Sequence, residues 1–218
     1  MANPAGQPWN RHVYSNEGCL TCSLQTPEGN SCSYASASFS KDMSRFSMSC
    51  SGPDPNFVKI YKSDVFPAEE ILDWEKNENL RLLIADQDLP KVSFLRVPVG
   101  GGFEAAVRIR LPSSINLDAT TFDKKYALIV NVYAGPGSTG VSNGFTLGFP
   151  AYQITKKEII YVDIDGRGSA LKGTDMMFSV NNRLGTYEME DQIAVTKFLI
   201  NKYKFIDPTR VGIWGWLV

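Results

Sequence analysis

The sequence has little of what marks several large classes of protein. It contains one histidine, His12, which confines any imidazole-based catalysis to a single residue. No apolar stretch reaches the roughly 18 residues that a membrane-spanning helix needs. No run of Lys or Arg stands out and the formal charge is -1, which argues against a nucleic acid or an anionic membrane as partner. Asn-x-Ser/Thr acceptors are absent, and Asn30-Ser31-Cys32 is only a marginal variant of that signal. The opening MANPAGQPWN has neither a basic nor an apolar segment of the kind that forms a secretory signal. What is present is a hydrophobic fraction of 43% over 218 residues, enough for a packed core and too much for long disorder.

The four cysteines, Cys19, Cys22, Cys32 and Cys50, all fall in the first quarter. Such clustering points to a locally stapled module of extracellular type, and a module of that type without a signal implies a parent protein that begins upstream of Met1. Cys19-Leu20-Thr21-Cys22 also has the spacing of a zinc or redox motif. Zinc wants a second close pair, whereas Cys32 and Cys50 are far apart in sequence. A redox pair belongs at a strand-to-helix turn, and this one sits among strands. Three disulfide connectivities remain open on spacing alone.

Residues 12–63 read as short strands. Val13 and Tyr14 open one, and residues 33–40 and 45–51 form two more, with Phe46, Met48 and Cys50 on one face by period-two alternation. Residues 58–62 follow the turn signal at 51–55. This all-β unit of three or four strands has too little apolar surface to stand alone and reads as one member of a repeat array. Residues 69–88, rich in charge, read as a linker with room for a short helix. Residues 91–99 and 103–111 flank Gly100-Gly101-Gly102, a hairpin turn and not a phosphate cradle, because a strand follows it. In the second of these strands, Val107, Ile109 and Leu111 alternate with Arg108 and Arg110, which predicts a half-exposed strand.

The second half has a different character. Residues 126–133 (YALIVNVY) and 158–164 (EIIYVDI) are nearly continuous β-branched runs, as buried parallel strands require. Residues 186–204 predict a helix, capped by Thr186 and carrying Glu188, Glu190 and Asp191 at its positive end. Ile193, Ala194, Lys197 and Phe198 share helical spacing, with Leu199 and Tyr203 one turn apart. Residues 211–215 form a short apolar strand, so strand, helix and strand predict an α/β sheet. Asp163 and Asp165 fall on one face of a strand, as a metal pair would, but no third ligand is near in sequence. The reading is no metal and no cofactor.

The last residues carry the chemistry. Gly215-Trp216-Leu217-Val218 sits where a strand turns into a helix, the setting of a G-x-S-x-G nucleophile elbow, with Leu217 in the serine's place. Four motifs then make a specific resemblance. They are Val132-Tyr133-Ala134-Gly135-Pro136, Asp165-Gly166-Arg167-Gly168-Ser169, the run from Arg183 to Gln192 (RLGTYEMEDQ) and Ile213-Trp214-Gly215-Trp216. In this order they resemble the signatures of the dipeptidyl peptidase IV branch of the prolyl oligopeptidase family. Tyr34, Ser38-Phe39-Ser40-Lys41 and Cys50-Ser51-Gly52-Pro53 extend the likeness through the β half.

The resemblance implies a mixed fold: the last part of a β-propeller, residues 1–77, followed by the N-terminal half of an α/β-hydrolase domain, residues 78–218. It implies disulfides Cys19–Cys22 and Cys32–Cys50. It implies peptide substrates cut after an N-terminal Xaa-Pro or Xaa-Ala, a homodimeric parent, and an extracellular or cell-surface location. Tyr133 takes the place of the phenol that donates to the oxyanion, with the backbone N–H of Val218 as the second donor. The family's Asp and His follow the nucleophile and its amine-binding glutamates precede this region, so His12 reads as structural or solvent-facing. With the serine, the acid and the base all missing, the chain reads as an inactive fragment or isoform. An incomplete gene model and a non-enzymatic accessory protein are the alternatives. The apolar strand at 211–215, left at a sheet edge, further predicts poor solubility when the chain is expressed alone.

Overall fold

The computed structural model describes residues 2–4, 6–118, 121–133 and 135–215. Two compact units make up the chain: residues 1–87 with 142–146, and residues 88–141 with 147–218.

The first unit is built on a four-stranded antiparallel meander, β1 (Ala35–Phe39), β2 (Arg45–Cys50), β3 (Phe57–Lys62) and β4 (Glu70–Glu75). The alternation in β2 does what its period dictates: Phe46, Met48 and Cys50 are buried with Ala35, Phe57 and Cys32 in one apolar cluster. Both implied disulfides are present, Cys19–Cys22 and Cys32–Cys50. His12 is structural: its ring is buried and its Nδ1 lies 3.1 Å from the Thr21 hydroxyl. Residues 142–146 belong to this unit. Phe145 donates its N–H to the Ser51 carbonyl, and a Cβ on Gly52 would collide with the Asn143 backbone.

Two expectations fail here. Val13 and Tyr14 start no strand; residues 11–14 make isolated bridges to Ala2, Tyr34 and Cys19. The stretch read as a linker holds a strand, β4, although the short helix it had room for is there as α1 (Glu78–Ile84). No buried face marks β4: all six of its residues are exposed, Ile71, Leu72 and Trp74 among them. Its pairing to β3 is helped by charge, with Lys59 bridging Glu70 at 2.8 Å and Asp73 at 3.3 Å.

The second unit carries a five-stranded sheet in the order β5-β6-β8-β7-β9, from β5 (Lys91–Pro98), β6 (Glu104–Leu111), β7 (Tyr126–Val132), β8 (Ile160–Asp165) and β9 (Ile206–Gly215). Strands β5 and β6 form the expected hairpin around the glycine turn, where Gly101 and Gly102 have φ of 72° and 77°. β6 also runs antiparallel to β8, whereas β8, β7 and β9 are mutually parallel through β7. Helix α2 (Phe149–Lys157) connects β7 to β8. Helices α3 (Thr174–Phe178) and α4 (Tyr187–Lys202) lie between β8 and β9. Neither α2 nor α3 figures in the expected strand, helix and strand, and β9 begins five residues earlier than its apolar run, passing through Asp207-Pro208.

Three further expectations are corrected. β6 is not half-exposed: residues 105–111 are all buried, because Arg108 and Arg110 turn inward to Asp163 of β8. Thr186 makes no side-chain cap on α4; its hydroxyl donates to the Arg183 carbonyl, and the Glu188 carboxylate accepts from the Gly185 N–H at that end. The buried face of α4 is Asp191, Gln192, Val195 and Leu199, while Ile193, Ala194, Lys197 and Phe198 face solvent. Leu199 and Tyr203 are buried as their spacing predicts, against the apolar core of the sheet. Among the described residues β9 is an edge strand, with Ile213 and Trp214 77% and 57% exposed.

Candidate active site

Parallel strands in an α/β sheet leave their carboxyl ends on one side, where ligands usually bind. Here the ends of β7, β8 and β9 converge by register: Asn131 pairs with Asp163, and Val132 pairs with Gly215. Tyr133, the next residue after β7, therefore emerges beside the end of β9. It is 47% exposed, so its phenol is available to a ligand. The close approach requires the glycine, because a Cβ on Gly215 would strike the carbonyl oxygen of Val132. Trp216, Leu217 and Val218, which carry the elbow position and the second donor, lie outside the described residues.

The loop after β8 forms the other wall. Asp165 is the last residue of β8, from which this loop departs. Asp165 accepts the N–H groups of Gly140 (2.7 Å) and Val141 (3.1 Å), tying down the segment that follows Tyr133. Lys172 lies 3.6 Å from the same carboxylate, and burial pushes its ammonium below the ordinary lysine range against that attraction. Arg167 meets Asp191 of α4 in a buried bidentate pair, Nε at 3.0–3.1 Å and an NH2 group at 2.7 Å, while its own backbone N–H donates to Asp191 at 2.7 Å. Its guanidinium also lies 4.2 Å over the Tyr187 ring. Glycine is needed beside this pair, since a Cβ on Gly166 would come within 2.7 Å of the Asp191 side chain. Two motifs distant in sequence thus lock together, and spacing alone gave no hint of that contact.

Beneath the loop lies a recess of about 10 Å³, room for roughly one water, bordered by Tyr133, Arg167, Ser169, Glu188 and Gln192. Gln192 Oε1 and Glu188 Oε2, both buried, have no hydrogen-bond partner among the described residues.

The Asp163–Asp165 pair is spoken for by cations of the protein itself. Asp163 accepts from Arg108 (2.9 Å), Arg110 (3.1 Å) and Asn131 (2.8 Å). A metal ion there would have to displace two buried guanidiniums, so the pair is a structural anchor joining β6, β7 and β8.

Comparison with known proteins identifies the family. Residues 146–216 match the model of the Prolyl oligopeptidase family. Venom dipeptidyl peptidase 4 of Apis mellifera is 42% identical over 99% of this chain and 28% of its own length. Dipeptidyl peptidase 4 of Bos taurus is 33% identical over 93% of this chain and 25% of its own. The crystal structure of Porphyromonas gingivalis dipeptidyl peptidase 4 superposes with a TM-score of 0.80 at 23% identity, covering 99% of this chain and 30% of that one, which is a likeness of fold. The chain belongs to the prolyl oligopeptidase family, in its dipeptidyl peptidase IV branch. It spans between a quarter and a third of the length of these relatives.

Proposed function

We propose that this chain is part of a serine-type dipeptidyl peptidase that releases Xaa-Pro or Xaa-Ala from peptide N-termini, and that Tyr133 supplies one of its two oxyanion donors. The observation that carries the reading is the pairing of Val132 with Gly215, which sets Tyr133 beside the end of β9. In a peptidase of this class the hydroxyl of a serine at the elbow attacks the scissile carbonyl. A phenolic O–H held beside that elbow meets the negative charge that develops only in the tetrahedral intermediate. The buried Arg167–Asp191 pair and the Asp165 contacts hold the walls of that pocket, so the donor is oriented before substrate arrives.

The four-stranded meander supports assignment of residues 1–77 to the end of a β-propeller, whose blades are four-stranded antiparallel sheets. The β8-β7-β9 parallel run, with α4 between β8 and β9, supports assignment of residues 78–218 to the N-terminal part of an α/β-hydrolase domain. Two disulfides support an extracellular or cell-surface parent, which by family likeness is a homodimer. No helix among the described residues is long and apolar enough to cross a membrane.

The 218-residue polypeptide itself is proposed to hydrolyse nothing. Leu217 has no hydroxyl, and the sequence has no histidine after His12. The same leucine favours a second reading, a non-enzymatic accessory or binding protein of this family. A fluorophosphonate probe and a chromogenic Gly-Pro anilide test the first part: the purified polypeptide is expected to take no label and release no dye. Label at an active-site residue, or steady dipeptide release, would sink it. Sequencing the transcript beyond Trp216 separates the two readings: Ser-Tyr-Gly-Gly indicates the enzyme, and another residue in a continuing domain indicates the accessory protein.

A further inference from the structure

We propose that His12, Cys19 and Cys22 become a three-ligand site for a soft divalent cation, zinc above all, when the Cys19–Cys22 disulfide is reduced. One ligand atom from each of the three lies within 4.8 Å of the others. The C-x-x-C spacing alone lacks a second close pair, and the fold supplies a buried imidazole in its place.

The cluster is held by more than the S–S bond. Thr21, between the two cysteines, bonds the His12 ring and also accepts the Val13 N–H at 3.1 Å. Leu20 donates its N–H to the Val13 carbonyl at 2.8 Å, and Tyr14 and Cys19 pair as an isolated bridge. The turn that carries both sulfurs is therefore fastened to the strand-like segment that carries the imidazole. The Thr21 hydroxyl holds one ring nitrogen of His12 and so fixes the ring's orientation, the role that outer contacts play at metal sites.

The bond is also placed to open selectively. Cys22 is exposed and Cys19 half-buried, whereas Cys32 and Cys50 are buried in the core cluster. A disulfide across two intervening residues restrains the unfolded chain less than one that closes a longer loop, so it resists reduction less. A phosphine reductant gives two electrons to the sulfurs, which take up two protons as thiols, and the phosphine ends as its oxide with the oxygen of water. Zinc then displaces those two protons, binds two thiolates and the neutral imidazole, and keeps a fourth position for water. Two soft sulfurs and one nitrogen select zinc or cadmium over magnesium or calcium.

The full chain is treated with a water-soluble phosphine until alkylation and mass spectrometry find Cys19 and Cys22 free and Cys32–Cys50 intact, and Zn²⁺ is then titrated by calorimetry without air. One Zn²⁺ per reduced chain, with proton release and none bound by the oxidised chain, is the expected result, and Co²⁺ in its place gives the visible spectrum of a tetrahedral thiolate site. His12→Gln keeps a partner for Thr21 and is expected to weaken binding at least about tenfold. The Cys19→Ser/Cys22→Ser chain, whose fold circular dichroism checks, is expected to bind none. No stoichiometric binding by the reduced chain, or equal affinity in His12→Gln, overturns the proposal. So does loss of first-unit structure on reduction that zinc does not restore.

Discussion

Asp191→Ala tests the contact on which the pocket's geometry rests. Asp191 is 1% exposed and Arg167 8%, and the substitution leaves a buried guanidinium and a buried backbone N–H without their shared acceptor. Breaking a buried ion pair by removing one partner costs about 3–5 kcal/mol. Arg167 keeps Glu190 at 3.3 Å and the Tyr187 ring, so the lower end of that range, about 3 kcal/mol, is expected. At roughly 2–4 °C per kcal/mol for a chain of this size, the second unit should melt about 6–12 °C lower. Because the chain has two units, hydrogen exchange read on peptides of β7 and β8 locates the loss better than a single melting curve. Arg167→Met combined with Asp191→Leu should be less damaging than the sum of the single changes, by about 1–3 kcal/mol. It should not be neutral, because the Arg167 amide still lacks a partner. A loss under about 1 kcal/mol for Asp191→Ala, the size of an exposed pair, would refute the claim that this contact locks the loop.

Asp163→Leu should destabilise the second unit by about 3–5 kcal/mol in urea unfolding, since it removes the carboxylate that two buried arginines share. Gly215→Ala should push β9 from β7, cost about 1–3 kcal/mol and speed amide exchange at residues 128–132. Burial holds the His12 pKa below its ordinary 6.5, with a hydrogen bond to the Thr21 backbone opposing the shift. The unfolded histidine therefore takes up its proton first. The contribution of His12 is complete above pH 6.5 and is lost as the pH falls from there toward the folded-state pKa. Urea midpoints measured between about pH 7.5 and 5.5 should fall more in the native chain than in His12→Gln.

What the sequence reveals and hides follows from whether burial is apolar. The strands β7 and β8 announce themselves because buried parallel strands need unbroken β-branched runs. The hairpin of β5 and β6 is legible from its three glycines. β6 misleads because alternation with arginine ordinarily means a wet face, and here those arginines are neutralised by an aspartate more than 50 residues further along the chain. The face of α4 misleads in the same manner: Asp191 and Gln192 are buried to hold the β8 loop, and Ile193 and Phe198 are left outside. β4 is hard to read because Ile71, Leu72 and Trp74 stay exposed among charged residues, and charge pairs help tie the strand to β3. Tyr133 has no local signal at all. Without the family motif around it, a tyrosine ending a buried strand reads as core, and only the register to Gly215 shows what it adjoins.

The most direct test of Tyr133 is a chimera in which residues 88–215 of this chain replace the aligned stretch of the Apis mellifera venom dipeptidyl peptidase 4, which is 42% identical over 99% of the chain. Dipeptide release from a chromogenic substrate is measured with Tyr133 and with Tyr133→Phe. The account predicts an active chimera whose kcat falls about 10²–10³-fold on loss of the one hydroxyl, with KM little changed. Equal kcat in the two proteins would contradict it.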